Sequence, residues 1–422
     1  MKNLWLIFIF LSATLFAEST LKSGARVQGE IVPFVEDDFE HGVATKKWAL
    51  HIGDRDYWIA PKQYSLLKKY AQGDRIEANI TTDATGQISL WNTALIAKNR
   101  DALAAYGMSG VRNLAILAIR VVDKAGDTSI PVDLQFLKDQ KVGIENFMKD
   151  VSFQHITMPA DVDGNGIPDV FGTFQYVRTL PNICQSTEWA TAAKAQAQSQ
   201  GIDLTKYQHV AIAIYGNNLG CSWAGLAQVG CAKSCTSWWI GKNPRVTWHE
   251  LGHNLGFGHA ATDPDDNLIT TQPYGDNSCV MGAWGGLTTG SSAYNAPHMV
   301  QQSWLKPNHL QTVTATGTYA ISGLREDYNN DDVRVLLIPR FMNLTQKYMV
   351  SYRSKVGLDN ALATTYVNKV SIHSHNGTSA YTFLDAELAL GEQWTSKDGQ
   401  MLTITFVDVV DGQAVLDVSF GG

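Results

Sequence analysis

Val246-Thr-Trp-His-Glu-Leu-Gly-His-Asn-Leu-Gly-Phe-Gly-His259 is the stretch on which the reading of this 422-residue chain turns. His249 and His253 are four positions apart, so on a helix their imidazoles leave one face about one turn from each other and can grip a single cation. Glu250 stands beside the first of them. Gly256 comes three residues after His253, where a glycine lets the chain leave the helix through a backbone conformation that other residues resist. That bend can bring His259 back as a third nitrogen ligand.

Three neutral imidazoles with an open fourth position describe a catalytic zinc site, since structural sites usually close with four protein ligands. Zinc there would lower the pKa of a bound water to roughly 7. Glu250 would take the proton from that water as it attacks a carbonyl carbon, then pass it to the leaving amine. The expected chemistry is peptide-bond hydrolysis without a covalent enzyme intermediate.

The five fixed residues His249, Glu250, His253, Gly256 and His259 resemble the long zinc motif of the metzincin endopeptidases. Metzincins carry a Met-containing turn beneath the zinc site, and Met281 in Tyr274-Gly-Asp-Asn-Ser-Cys-Val-Met-Gly282 suits that role. The stretch Asn217 to Ala227, the segment Asn295-Ala-Pro297 leading to Trp304-Leu305, and Tyr348 to Arg353 are similar to gametolysin-type peptidases. Many of those have Gln where this chain has His249, and the histidine is the ordinary zinc ligand. The resemblance implies a secreted protease acting on extracellular-matrix or cell-wall glycoproteins, with an α+β metzincin-like catalytic domain. Some metzincins place a Tyr two residues after the Met to hold the oxyanion. Here that position is Ala283, which leaves Tyr274 and Tyr294 as unranked candidates.

Composition frames the motif. A net charge of −7 gives no basic footprint, which argues against nucleic acid as a partner. Lys2, the apolar run Leu4 to Phe16 and the small Ala17 form a secretory signal, too short to span a bilayer and with no later segment long enough. Residues 18–110 read as a small N-terminal β domain, 111–308 as the catalytic domain with alternating strands and helices, and 309–422 as a β-sandwich-like domain. The five cysteines lie between Cys184 and Cys279, around the zinc helix. In an oxidising compartment they predict two disulfides and one leftover thiol, with the pairing open.

Asp161-Val-Asp-Gly-Asn-Gly-Ile-Pro-Asp169 alternates oxygen donors at Asp161, Asp163 and Asn165, then sets Gly166 and Asp169, as in the first half of a calcium loop. The twelfth position is Gly172 rather than Glu, so the loop is more similar to those of thrombospondin type 3 or dockerin modules; an Asp/Gly-rich surface turn is the alternative. Residues 18–110 read either as an inhibitory pro-region or as an accessory binding module. They hold no Cys to cap a zinc, but His51-Ile-Gly-Asp54 loosely resembles the zinc-blocking aspartate of astacin pro-regions. Asn79, Asn343 and Asn376 open glycosylation sequons. His155, His209 and His298 read as packed or solvent histidines, and Trp238-Trp239 as residues beside a substrate-binding edge strand, at least one of them in the core. Two rivals to the endopeptidase remain: a metal-stabilised adhesin or surface-binding protein without catalysis, and a hydrolase of non-peptide amides.

Overall fold

The computed structural model describes residues 21–53, 55–98, 108–231, 235–270, 272–282, 293–340, 343–375 and 381–421. The signal segment, Asp54, Ala283 and the Asn376 sequon lie outside them. In chain order the first strands are β1 (Arg26–Asp38), β2 (Val43–Ile52) and β3 (Arg55–Trp58), a short α1 (Tyr64–Leu67), then β4 (Arg75–Thr82) and β5 (Ile88–Ala97). Next come β6 (Gly110–Val111), β7 (Leu114–Val122), α2 (Leu134–Val151), β8 (Ile156–Thr157), β9 (Val170–Val177), α3 (Ser186–Ser199), β10 (His209–Tyr215), β11 (Gly225–Gln228) and β12 (Cys235–Ile240). The helix α4 (Pro244–Asn254) carries the motif and leads to β13 (His259–Thr262) and α5 (Ala296–Gln301). The remainder is strand: β14 (Leu310–Thr312), β15 (Gly317–Ile321), β16 (Val335–Arg340), β17 (Asn343–Arg353), β18 (Lys369–His375), β19 (Tyr381–Leu388), β20 (Gln393–Thr395), β21 (Leu402–Val410) and β22 (Gln413–Phe420). The class is α+β, rich in strand and organised in several sheets.

Ten strands form one sheet in the order β3-β2-β1-β11-β12-β10-β7-β9, with β4 pairing β1 and β5 pairing β4. β7 and β10 are near-continuous apolar runs because both their faces are covered. On one side Leu137, Ile144, Phe147 and Met148 of α2 join Leu251 of α4 in a buried layer. On the other, Trp189, Ala190 and Ala193 of α3 pack with Ile212 and Trp238. The N-terminal strands wrap a core of their own around Ile31, Trp48, Leu50, Ile76 and Ile88, yet β1 runs on into the large sheet by pairing antiparallel with β11.

A six-stranded sheet, β13-β19-β18-β17-β16-β14, faces a four-stranded one, β15-β22-β21-β20, across a shared apolar layer that includes Ile338, Val350, Ile372, Ile404 and Leu416. β13 joins this sheet by pairing in parallel with β19, His259 opposite Tyr381. Trp238 and Trp239 lie on β12, inside the sheet rather than at its edge, and both are buried. The strand outside them is β11, whose far side is taken by β1. Two disulfides close, Cys184–Cys221 and Cys231–Cys235, and Cys279 is the buried free thiol. No helix among the described residues is long and apolar enough to cross a membrane.

Candidate active site

The zinc-motif helix starts where its sequence says it should. Asn243 accepts a hydrogen bond from the Arg245 amide, and Pro244 occupies the first turn, where a missing N–H costs nothing. The helix ends in a Schellman turn: Gly256 N–H donates to His253 O at 2.8 Å and Phe257 N–H to Gly252 O at 3.0 Å, with Gly256 at φ +91°. This reversal sends the chain into β13 and returns His259 to the other two histidines. His253 and His259 then have Nε2 atoms 3.1 Å apart.

All three imidazoles are buried, and two are held by their far nitrogens. His249 Nδ1 lies 2.9 Å from Val280 O and His253 Nδ1 2.8 Å from Phe257 O. A carbonyl accepts, so each Nδ1 carries the proton and each Nε2 keeps a lone pair for a metal. His249 Nε2 is a buried nitrogen without a hydrogen-bond partner. This donor set fits a divalent metal of the zinc type.

Glu250 is fully buried, and neither of its oxygens has a hydrogen-bond partner. It faces β11, where a Cβ on Gly225 would overlap its carboxylate. Burial, reinforced by the negative charge of Asp37, raises its pKa well above the ordinary carboxylate range. Beneath α4, Met281 is buried against Gly252, where an added Cβ would collide with its sulfur, and Met281 O accepts from the Ala260 amide at 2.9 Å. The Met281 segment therefore braces both the motif helix and the strand of the third histidine.

The structure adds a residue the sequence did not suggest. Asp37, the penultimate residue of β1, is fully buried among the three histidines. Its Oδ1 is 2.7 Å from His259 Nε2, and its Oδ2 is 3.2 Å from His253 Nε2 and 3.6 Å from His249 Nε2. Burial alone would raise the Asp37 carboxyl, but the charges of His259, His249 and His253 outweigh it and hold the group well below its usual range. Burial pushes His259 down to about 4 and also lowers His249, despite Asp37. The Tyr274 hydroxyl donates to Asp37 Oδ1 at 2.7 Å, and its ring stands 4.5 Å from that of His259. Tyr294 instead donates to Trp248 O at 3.0 Å, on the helix backbone. Of the two tyrosines, only Tyr274 meets the group seated on the histidines' open side.

His51 bonds Asp56 at 2.8 Å. His209 and His298 are buried, and His155 bonds Tyr328 at 2.8 Å. Asp161, Asp163 and Asp169 form a second group, each offering an oxygen within 4.8 Å of the others. Asp161 accepts from the amides of Gly164 and Gly166 at 2.8 and 2.6 Å, while the Asn165 side chain accepts from Ile167 N–H at 2.8 Å.

The family model described as gametolysin peptidase M11 matches residues 135–389. An autolysin of Chlamydomonas reinhardtii is 28% identical over 251 residues, which is 47% of this chain and 38% of the relative. The chain thus aligns with well under half of that relative's length. Two structures of OgpA from Akkermansia muciniphila, the wild type and an inactive form with an O-glycopeptide, match at 11% and 9% identity and TM-scores of 0.30 and 0.29. They cover 75% and 66% of this chain and 96% and 93% of theirs, and likeness at that level bears on neither fold nor function.

Proposed function

The chain belongs to the gametolysin peptidase M11 family, and from that premise we propose that it is a secreted, zinc-dependent metzincin-type endopeptidase. The observation that carries this reading is the convergence of three buried histidine Nε2 atoms beside Glu250, a buried carboxylate with no partner. His249, His253 and His259 would hold the zinc, which supplies a Lewis acid for water and for the scissile carbonyl. Glu250, adjacent to His249 on α4 and facing Gly225 of β11, takes the proton of the attacking water and delivers it to the leaving amine nitrogen. Tyr274 has its hydroxyl aimed at the same open side and donates to the developing oxyanion. Met281 forms the floor.

The substrates on this reading are proteins of the extracellular matrix or cell surface, including glycoproteins. The two disulfides suit an oxidising compartment. Asp161, Asp163, Asn165 and Asp169 would hold calcium and stiffen the loop before β9, so added calcium should raise the thermal midpoint and Asp163→Ala should abolish that gain.

One observation favours the adhesin reading: with Asp37 counted, the histidines have a fourth protein donor, as in a closed structural site. Against it stands Glu250, which a structural metal does not need. Cleavage of an unfolded protein by the chain after limited proteolysis has removed its N-terminal strands, with and without a zinc chelator and beside Glu250→Ala, tests the proposal. We expect chelation or the substitution to abolish cleavage while Glu250→Ala retains about one zinc per chain. Equal activity of Glu250→Ala would sink the mechanism, and absence of bound zinc would sink the site.

A further inference from the structure

We propose that β1 is an intramolecular inhibitor: it occupies the strand position of an extended substrate along β11 and sets Asp37 as the fourth ligand of the metal. The inference rests on the zinc-peptidase reading and extends it to a latent form of the same site. Three features carry it.

The first is the carboxylate. Asp37 comes from a strand more than two hundred residues upstream of the motif, yet its two oxygens reach the Nε2 atoms of all three histidines. A carboxylate spans two oxygens about as far apart as those of a hydrated carbonyl. Here one of them meets Tyr274 and the other lies toward His249 and His253. No substrate carbonyl can approach while it is there.

The second is the backbone. β11 pairs with β12 on one side and with β1 on the other, in the register Phe34–Gln228, Val35–Ala227, Glu36–Leu226 and Asp37–Gly225. Ala224 N–H donates to Asp37 O at 3.0 Å and Val229 N–H to Pro33 O at 3.1 Å. Without β1, these main-chain groups form an open strand edge, the surface on which proteases bind extended peptides by strand addition. Beyond Asp37, Phe39 is buried with its ring 4.9 Å from His249, edge-on, and 5.4 Å from Tyr274. It seals the side of the site past the blocking carboxylate.

The third is separability. The N-terminal strands have their own core around Ile31, Leu50, Ile76 and Ile88, and only one face of β1 and β2, with Val32, Phe34 and Ala49, packs into the core of the large sheet. A permanent structural ligand would leave Glu250 unexplained beside it. A withdrawable one explains why a full catalytic set lies behind a closed door.

The test uses the full chain loaded with cobalt(II), as wild type, Asp37→Ala and Asp37→Asn, with a short peptide hydroxamate as the probe of the fourth position. Wild type should bind the hydroxamate at least about 100-fold more weakly than Asp37→Ala, that is about 2.7 kcal/mol, with Asp37→Asn between them. The cobalt absorption of wild type should differ from that of Asp37→Ala, and hydroxamate should change only the latter at matched concentration. Hydroxamate binding equal in wild type and Asp37→Ala would overturn the proposal. If neither variant folds, a prompt spectral response of wild type itself to hydroxamate, at concentrations typical of an open site, overturns it as well. A chain that takes up no metal fails the zinc reading. A chain that takes up metal and opens in Asp37→Ala, yet cleaves no protein after limited proteolysis has removed β1, keeps the inhibitor and loses the endopeptidase.

Discussion

Acid should destabilise this protein partly through His209, which packs behind the end of the motif helix. His209 opens β10, is fully buried, and has Nδ1 3.3 Å from Asn254 Oδ1 and Nε2 accepting from Arg112 Nε at 3.4 Å. Burial, helped by the charge of Arg112, pushes its pKa from 6.5 down to about 3. The folded chain therefore keeps His209 neutral where the unfolded chain protonates it. The contribution is present in full above the unfolded pKa and is lost as the pH falls from about 6.5 toward 3. At about pH 5 the unfolded state has gained roughly 1.5 pH units of protonation free energy, about 2 kcal/mol at 1.36 kcal/mol per unit. His209→Gln keeps a donor and an acceptor but has nothing to titrate. Urea unfolding followed by tryptophan fluorescence at about pH 7.5 and about pH 5 should show wild type losing about 2 kcal/mol more than the variant, other acid-labile groups cancelling in the comparison. Equal losses, within about 0.5 kcal/mol, would refute the account.

Tyr274→Phe, assayed after limited proteolysis has removed β1 from the cleft, should lower kcat about 100-fold with KM nearly unchanged, the signature of a donor that acts on the oxyanion; an unchanged kcat rules that role out. Gly256→Ala forces a Cβ into φ +91°, so stability should fall by about 1–2 kcal/mol, and competition with a chelator should show weakened zinc affinity as His259 loses its approach. Arg353→Met should cost about 3–5 kcal/mol in urea unfolding, because it strands the buried Asp359 carboxylate that Arg353 holds at 2.7 and 2.8 Å. Adding Asp359→Leu should recover most of the loss, and failure to recover it would mean that the contacts of Arg353 to Ser278 matter more.

The convergence of the three histidines was readable because it is local. Spacings of four and six residues, with Gly256 at the turn, decide how His249, His253 and His259 meet, and a Schellman turn realises that arrangement. The α+β class followed similarly from buried runs such as Leu114–Val122 alternating with helices. Asp37 had no such signature. Its place depends on β1 choosing β11 as its partner, a pairing 216 residues from His253 in sequence that no periodicity encodes. The loose likeness at His51-Ile-Gly-Asp54 was a short phrase of sequence, and Asp54 lies outside the described residues. Gly225 was equally silent: only the neighbouring Glu250 carboxylate explains why that strand needs a residue without a side chain. The Tyr274 and Tyr294 choice turned on which ring faces the cavity, a matter of packing rather than order.

The parallel pairing of β13 with β19 also sets a timetable for the nascent chain. His259 sits on an edge strand whose one partner in its sheet ends at Leu388, so the third nitrogen is anchored only after that distant segment has been made. At about 5–20 residues per second the gap between the two is on the order of ten seconds of synthesis. β1, made first, is waiting throughout. On the proposed latency, the strand that blocks the centre is ready before the three histidines are brought together, so they are never assembled without Asp37 beside them.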